Sequence, residues 1–304
     1  MTTSAPFVSP LAVTQPSRWT AIDFGRVSRT PPTEALADTL EAEIWRIAGR
    51  LPPTLADDAA RVLRGYPGPG RRFIDLFYQP VWSFLHWLAP DPDSRQAAVR
   101  VHALALMLHL WDDHLCDAQL PTDIMRLQFR SIAWQEMMAA LADDASSAEL
   151  ADTYLESVHA RAPAASLDDH LARFERQIAL WHAAPRMLAA RRGHRVAASV
   201  ASALSAFCAA WRMIDDIQDI DDDSVSGQDN CARLALTDAR PAGWDIAWTT
   251  TSPHMRHPQH DAALSDAVDT VLNRARNALQ RAQADAHDAG LHGWAAELAQ
   301  AQGF

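Results

Sequence analysis

Two stretches of this sequence run for several helical turns almost without charge and then break into carboxylates. One ends Leu108-His109-Leu110-Trp111-Asp112-Asp113-His114-Leu115-Cys116-Asp117. The other ends Trp211-Arg212-Met213-Ile214-Asp215-Asp216-Ile217-Gln218-Asp219-Ile220-Asp221-Asp222-Asp223. A helix that is apolar nearly all round belongs in a core, and carboxylates delivered to its end are costly unless paired or bound to a cation. Asp113 and Asp117 stand four apart, as do Asp215, Asp219 and Asp223. Residues at that spacing share a helix face, with Cβ atoms roughly 5–6 Å apart. Acids at a helix C-terminus also oppose the macrodipole, at roughly 0.3–1 kcal/mol each. The pattern therefore predicts two sets of oxygen ligands for hard divalent cations. Mg²⁺ suits them, because it is held by one or two carboxylates together with substrate phosphates. A calcium EF-hand is excluded: Ser224 stands where the turn glycine is required, and Asn230 where the bidentate glutamate is.

The rest of the chain is built for helices. Hydrophobic residues make up 48% of the 304, enough for a large core, while glycine occurs only 11 times. Alanine, leucine and arginine dominate, and all favour helix. The net charge of −11 argues against nucleic acid as a partner. There is no lysine, so all 27 basic residues are arginine, which excludes Schiff-base, pyridoxal-phosphate and P-loop chemistry. Cys116, Cys208 and Cys231 are far apart and lack CxxC spacing, which disfavours a disulfide scaffold or zinc site and fits a reducing cytoplasm. No signal peptide is visible in the first 30 residues. The best apolar run, 101–111, is too short for a transmembrane segment.

Along the chain, residues 1–32 are rich in Pro, Ser and Thr without period and read as a flexible arm. Leu36, Leu40, Ile44 and Ile47 open the first helix. A turn-rich stretch over 65–72 precedes an aromatic segment restarted at Pro80. Helices are then expected from Ser94 to Asp117, from Pro121-Thr122-Asp123 through Met138, over 147–160, over 167–191 with a break near Pro185, over 196–223, and over 261–287, with a polar loop over 224–260. No domain boundary is evident, so 33–304 reads as one all-α domain.

Asp112-Asp113-x-x-x-Asp117 and Asp215-Asp216-Ile217-Gln218-Asp219 resemble the two aspartate-rich motifs of the class I isoprenoid synthases, which comprise trans-prenyl diphosphate synthases and class I terpene synthases. The resemblance covers about 34–300. It implies a single-domain antiparallel helical bundle around a central active-site cavity, three Mg²⁺ held by Asp112, Asp113, Asp117, Asp215, Asp216, Asp219 and Asp223, an isoprenyl diphosphate substrate and a homodimer. The first motif carries one residue more than the common DDxxD, which leaves open whether Asp112 or Asp113 is the main ligand beside Asp117. Where prenyl-elongating enzymes carry GGKRxRP for isopentenyl diphosphate, this chain has Pro69-Gly70-Arg71-Arg72-Phe73, and their later lysines have no counterpart. A weakened second diphosphate site points to a substrate that reacts with itself, and so to cyclisation.

Diphosphate departure needs cations beside the metals, and guanidinium binds phosphate bidentately. Arg176 and Arg173 precede the second motif where the cyclases carry a diphosphate-sensing arginine. Arg130 and Arg126 follow the first motif, and Arg71, Arg72 and Arg233 complete the candidates. Gln218 lies within the second motif. An allylic cation needs dry aromatic walls. Of the 11 tryptophans, Trp111 and Trp211 flank the motifs, and Trp82, Phe77 and Phe207 lie on expected core helices. The rival readings are a prenyltransferase joining an allylic diphosphate to isopentenyl diphosphate or another acceptor, and a non-catalytic helical partner subunit of a synthase.

Overall fold

A computed structural model describes residues 22–68, 70–88, 92–117, 119–141, 147–159, 162–189, 193–221, 223, 228–236 and 258–303. The first two thirds of the expected arm, most of the expected loop over 224–260, Pro69, Asp222 and Ser224 lie outside these residues. The described chain is all α, with no strand among the described residues.

Twelve helices are described: α1 (Pro31–Ala48), α2 (Pro53–Gly65), α3 (Pro80–Leu88), α4 (Pro92–Cys116), α5 (Ile124–Ala140), α6 (Ser147–His159), α7 (Leu167–Gln177), α8 (Ala183–Ala189), α9 (His194–Gln218), α10 (Cys231–Ala235), α11 (Pro258–Asp288) and α12 (His292–Gln300), with short 3₁₀ turns at Phe73–Leu76 and Ala179–His182. Local chemistry sets several starts. Thr30 and Thr33 form a reciprocal capping box ahead of α1. The Asp123 carboxylate accepts from the Arg126 N–H at 2.9 Å to open α5, and the Ser166 hydroxyl accepts from the Asp169 N–H at 3.1 Å to open α7.

One hydrophobic core runs from Phe24 to Ala301. α4 contributes an unbroken buried stretch over 101–108 and packs against α1, α5 and α8, while α9 lies chiefly against α11. By length and composition α9 can span a membrane, with a mean hydropathy of 1.4 in its best window, yet half of that window is buried inside the fold. The apolar character that a span shares with a core helix here serves packing.

Three boundaries differ from expectation. The helix expected over 167–191 breaks at Ile178, not Pro185, because Pro185 sits in the first turn of α8, where a missing N–H costs nothing. A separate α2 follows Gly49 and the Pro52-Pro53 pair. The chain closes with α12, reached through Gly290 at φ +74°.

The larger correction concerns the arm. Residues 22–30 are docked as a strap across the bundle. The Phe24 side chain is buried, the Gly25 N–H donates to the Ala301 carbonyl at 3.1 Å, and Arg29 pairs with Asp75 at 2.7 Å. One buried aromatic ring anchors a segment whose Pro/Ser/Thr content conceals it.

Candidate active site

The acidic ends of α4 and α9 line the same cavity of about 510 Å³. Asp113, His114 and Asp117 come from α4 and its end. Asp215, Asp216, Asp219 and Asp223 come from α9 and the turn after it, and Arg173, Phe174 and Gln177 come from α7. The backbone makes this possible. The Asp117 N–H donates to the Asp113 carbonyl at 2.9 Å. Asp219 donates to Asp215, and Asp223 to Asp219, also at 2.9 Å. The helical repeat thus continues past Gln218, and Asp215, Asp219 and Asp223 stack on one face.

The adjacent aspartates of each pair divide their duties. Asp112, 3% exposed, accepts from Arg130 Nε at 2.5 Å and Nη2 at 2.8 Å, and from the Tyr154 hydroxyl at 3.0 Å. Asp216, 1% exposed, meets Arg212 at 2.7 Å through one oxygen. Its other oxygen accepts from His170 at 3.0 Å and from the Cys231 N–H at 2.8 Å. Burial pushes the Asp216 pKa up, but Arg212, His170 and the Cys231 N–H outweigh it and hold the carboxyl below its usual range. Both residues were expected among the metal ligands. Asp112 does not line the cavity, Asp216 has both oxygens occupied, and each is the buried partner of an arginine.

Asp113 and Asp215 are the other halves of the two pairs. Asp113 is exposed at the cavity wall and Asp215 is half-buried. Burial raises the Asp215 pKa; Arg212 opposes this, while Asp216 and Asp113 raise it further. The two motifs therefore repel each other across the cavity. Asp223 is pushed up to about 6 by burial, with Asp216 and Asp215 adding to the effect against a hydrogen bond from Asn230 at 2.8 Å. Asp113, Asp117, Asp215, Asp219 and Asp223 thus form an oxygen-only donor set on one cavity, and a divalent cation would relieve the repulsion that raises Asp215 and Asp223. This is the chemistry that suits Mg²⁺. The buried His170–Asp216–Cys231 group has metal-ligand residue types within 4.8 Å of one another, but Arg212 already neutralises its one carboxylate.

The arginines sort differently from expectation. Arg173 lines the cavity, its guanidinium 3.6 Å from Asp169 and 3.7 Å from Asp229. Arg176 is exposed on α7 and does not line it. Arg130 is committed to Asp112 and lies over the Trp134 ring. Arg126 pairs with Asp123 at the start of its own helix. Arg72 pairs with Asp38 at 2.5 Å, Glu34 at 2.9 Å and Asp75 at 3.3 Å, and Arg71 donates to the Asp75 carbonyl at 2.8 Å. Arg233 donates to the Gln228 carbonyl at 3.3 Å. Gln218 turns from the cavity, its amide donating to the Ile22 carbonyl at 3.1 Å, and so fastens the strap. Arg212, absent from the sequence-derived set, is the cation closest to the second motif and lies over Phe174. Its place one turn before Asp216 was the available signal.

The aromatic candidates assemble in part. Trp211 stacks on Trp181 at 5.9 Å and meets Tyr78 edge-on at 5.2 Å; Phe77 stands edge-on to both tryptophans. His109 packs on Trp181 at 4.9 Å and bonds through Nδ1 to the Gln177 carbonyl at 3.1 Å. Phe207 joins this column through Phe24. Trp111 instead packs between Tyr66 and Phe129, and Trp82 lies in the core beneath Arg29. No family model, no curated protein and no solved structure matches the chain.

Proposed function

We propose that this chain is a Mg²⁺-dependent terpene synthase that ionises a linear isoprenyl diphosphate, releases diphosphate and lets the allylic cation react within its own chain. One observation carries the reading: the carboxylates of two separate acidic helix ends converge on a single cavity at a cost in mutual repulsion. Asp113 and Asp117 on one wall and Asp215, Asp219 and Asp223 on the other would hold the metal. Bound there, Mg²⁺ supplies Lewis-acid neutralisation of the leaving oxygens. Arg173 and Arg212 supply guanidinium donors to the diphosphate from the same cavity. The C–O bond breaks with its electron pair leaving on the diphosphate, and the positive charge meets Phe174, the aromatic ring in the cavity lining; Trp211, Trp181 and Phe77 pack together outside that lining.

The rival prenyltransferase needs a second diphosphate site. Of the two arginines that would build it, Arg72 is paired with Glu34, Asp38 and Asp75 and Arg71 donates to the Asp75 carbonyl; neither lines the acidic cavity, which favours cyclisation. A non-catalytic subunit has no physical reason to keep repelling carboxylates around one cavity. The test is incubation with Mg²⁺ and geranyl, farnesyl or geranylgeranyl diphosphate, with and without isopentenyl diphosphate. A hydrocarbon or alcohol from one substrate alone is expected. A longer diphosphate formed only with both substrates overturns the cyclase reading in favour of chain growth, and no product from any combination overturns the enzyme reading.

A further inference from the structure

We infer that His114 is a further diphosphate-binding residue and that Tyr66 positions it. His114 donates from its Nε2–H to the leaving group, while Tyr66, outside the cavity, keeps the proton on that nitrogen; both statements rest on the functional reading above. The cavity is lopsided in its donors. Arg173 and Arg212 stand on α7 and α9, whereas the lining residues on the side of α4 are Asp113, His114, Cys116, Asp117 and Gln119. A diphosphate bridging the two motifs therefore meets no arginine of the described lining on the first-motif wall. His114 is set among the candidate ligands there, next to Asp113 and three residues before Asp117, a spacing that shares a helix face.

The imidazole is fixed by a neighbour that does not line the cavity. The Tyr66 hydroxyl and His114 Nδ1 stand 2.5 Å apart. Tyr66 follows α2 directly and stacks on His114 at 5.1 Å and on Trp111, one turn earlier on α4, at 6.2 Å; Phe73 meets it at 5.6 Å. Trp111 and Phe73 thus brace the phenol, and the phenol fixes the imidazole. The Tyr66 hydroxyl has no other hydrogen-bond partner among the described residues, so its proton goes to Nδ1. A neutral imidazole carries one N–H, and accepting at Nδ1 places it on Nε2. Burial, reinforced by the Asp113 carboxylate against Arg126, pushes the Tyr66 pKa up, so the phenol keeps the proton it donates. Nε2 is then the polar ring atom left for the cavity that His114 lines. Two consequences follow from a proton at that nitrogen. Its lone pair is closed to a cation, which leaves Mg²⁺ to the oxygens it prefers. An uncharged donor can also stand among the aspartates without competing with the metal for them, as an arginine would.

The experiment reads the ring directly, by long-range ¹H–¹⁵N NMR of the full chain labelled at its 13 histidines, with His114→Gln identifying the His114 signals. The wild type is expected to carry the proton on Nε2. Tyr66→Phe, which keeps the stacked ring and removes the hydroxyl, should give a mixture of tautomers. Inorganic diphosphate with Mg²⁺ should shift the wild-type Nε2 signal. Calorimetry with the same two ligands gives the affinities. His114→Ala should weaken diphosphate binding about tenfold, as for one lost charge-assisted hydrogen bond. Tyr66→Phe should weaken it about threefold or more, because the ring loses the partner that orients it. His114→Gln, which still offers an N–H, should retain more of the affinity than His114→Ala; a purely structural histidine would give no such rescue. An Nε2 without a proton in the wild type overturns the inference. So does an affinity unchanged within about twofold in His114→Ala, and with wild-type binding retained either result leaves the site reading intact. A wild type that neither binds inorganic diphosphate nor turns over any isoprenyl diphosphate overturns both. An Nε2–H signal unchanged in Tyr66→Phe overturns the role of Tyr66. If His114→Ala does not fold, the wild-type spectrum and the two conservative variants decide.

Discussion

Arg130 grips Asp112 with two parallel hydrogen bonds, at 2.5 and 2.8 Å, although Asp112 belongs to a motif whose other members face a cavity. The neighbouring residue Asp113 is the one at the cavity wall. The first motif therefore contains a structural aspartate and a candidate ligand side by side, and the two should fail differently. Removing one member of a buried pair strands the other, at about 3 kcal/mol or more. Asp112→Ala is expected to lower stability by about that amount, and adding Mg²⁺ should not restore it. Urea unfolding with and without Mg²⁺ checks this; full rescue by the metal would make Asp112 a ligand after all.

Asp113→Asn and Asp215→Asn carry the opposite expectation. Each removes a charge that repels the other motif and leaves an amide of nearly the same shape. The metal-free variants should be at least as stable as the wild type by thermal melting, while the rise in Tm on adding Mg²⁺ with inorganic diphosphate is lost and turnover falls by about a hundredfold or more. Melting curves with and without the ligands measure this. Undiminished Mg²⁺ stabilisation in both variants would remove these residues from the ligand set.

The two arginines of α7 make a sharper comparison because they differ by one turn. Arg173 lines the cavity and Arg176 is exposed outside it. Arg173→Ala should weaken diphosphate binding about tenfold or more, as expected for loss of a charge-assisted contact of about 1.5–3 kcal/mol. Arg176→Ala should change it less than twofold. Arg212→Ala should weaken binding and also destabilise the second motif, because it strands Asp216. Titration calorimetry of the three variants, each beside its melting curve, separates these effects; a stronger effect at Arg176 than at Arg173 would reverse the assignment.

Much of this site can be read in the sequence, and its gaps have physical causes. The four-residue spacing of Asp215, Asp219 and Asp223 forces a shared helix face, so their convergence follows from the chain itself. The arrival of both motifs at one cavity does not, since it depends on how α4 and α9 pack. Nor does spacing distinguish Asp112 from Asp113: their carboxylates are chemically alike, and only the neighbours Arg130 and Tyr154, brought from α5 and α6, decide which is buried. Arg176 and Arg173 differ by a rotation about α7 that no composition reveals. Arg212 stands one turn before Asp216, and spacing alone does not show that it both pairs with Asp216 and lines the cavity. The strap is not legible in a segment without period, because Phe24, Ile22 and Val27 and hydrogen bonds to Gln218 and Ala301 seat it only through tertiary contact. Helix existence is encoded locally and was legible; side-chain partnership is encoded by tertiary contact and was not.

The raised pKa of Asp223 fixes the direction of one pH effect. Its folded value of about 6 lies above the ordinary 3.8 because burial disfavours the charged carboxylate, with Asp216 and Asp215 adding repulsion. A group raised in the fold adds stability below its unfolded pKa and loses that contribution as pH climbs through the folded value. For Asp223 the window runs from about pH 4 to about pH 6. Asp75, Glu175 and Asp216 are shifted the other way, so the wild-type profile alone mixes opposing effects. The difference between wild type and Asp223→Asn isolates the one carboxyl. In metal-free buffer that difference in Tm should move against the wild type from pH 4 to about pH 6 and then level off. Mg²⁺ reverses the sense, because a proton and the cation compete for the same oxygens: the metal-induced rise in Tm should be small below pH 5 and reach its plateau above about pH 7. A metal effect of equal size across that range would mean that Asp223 does not bind the ion.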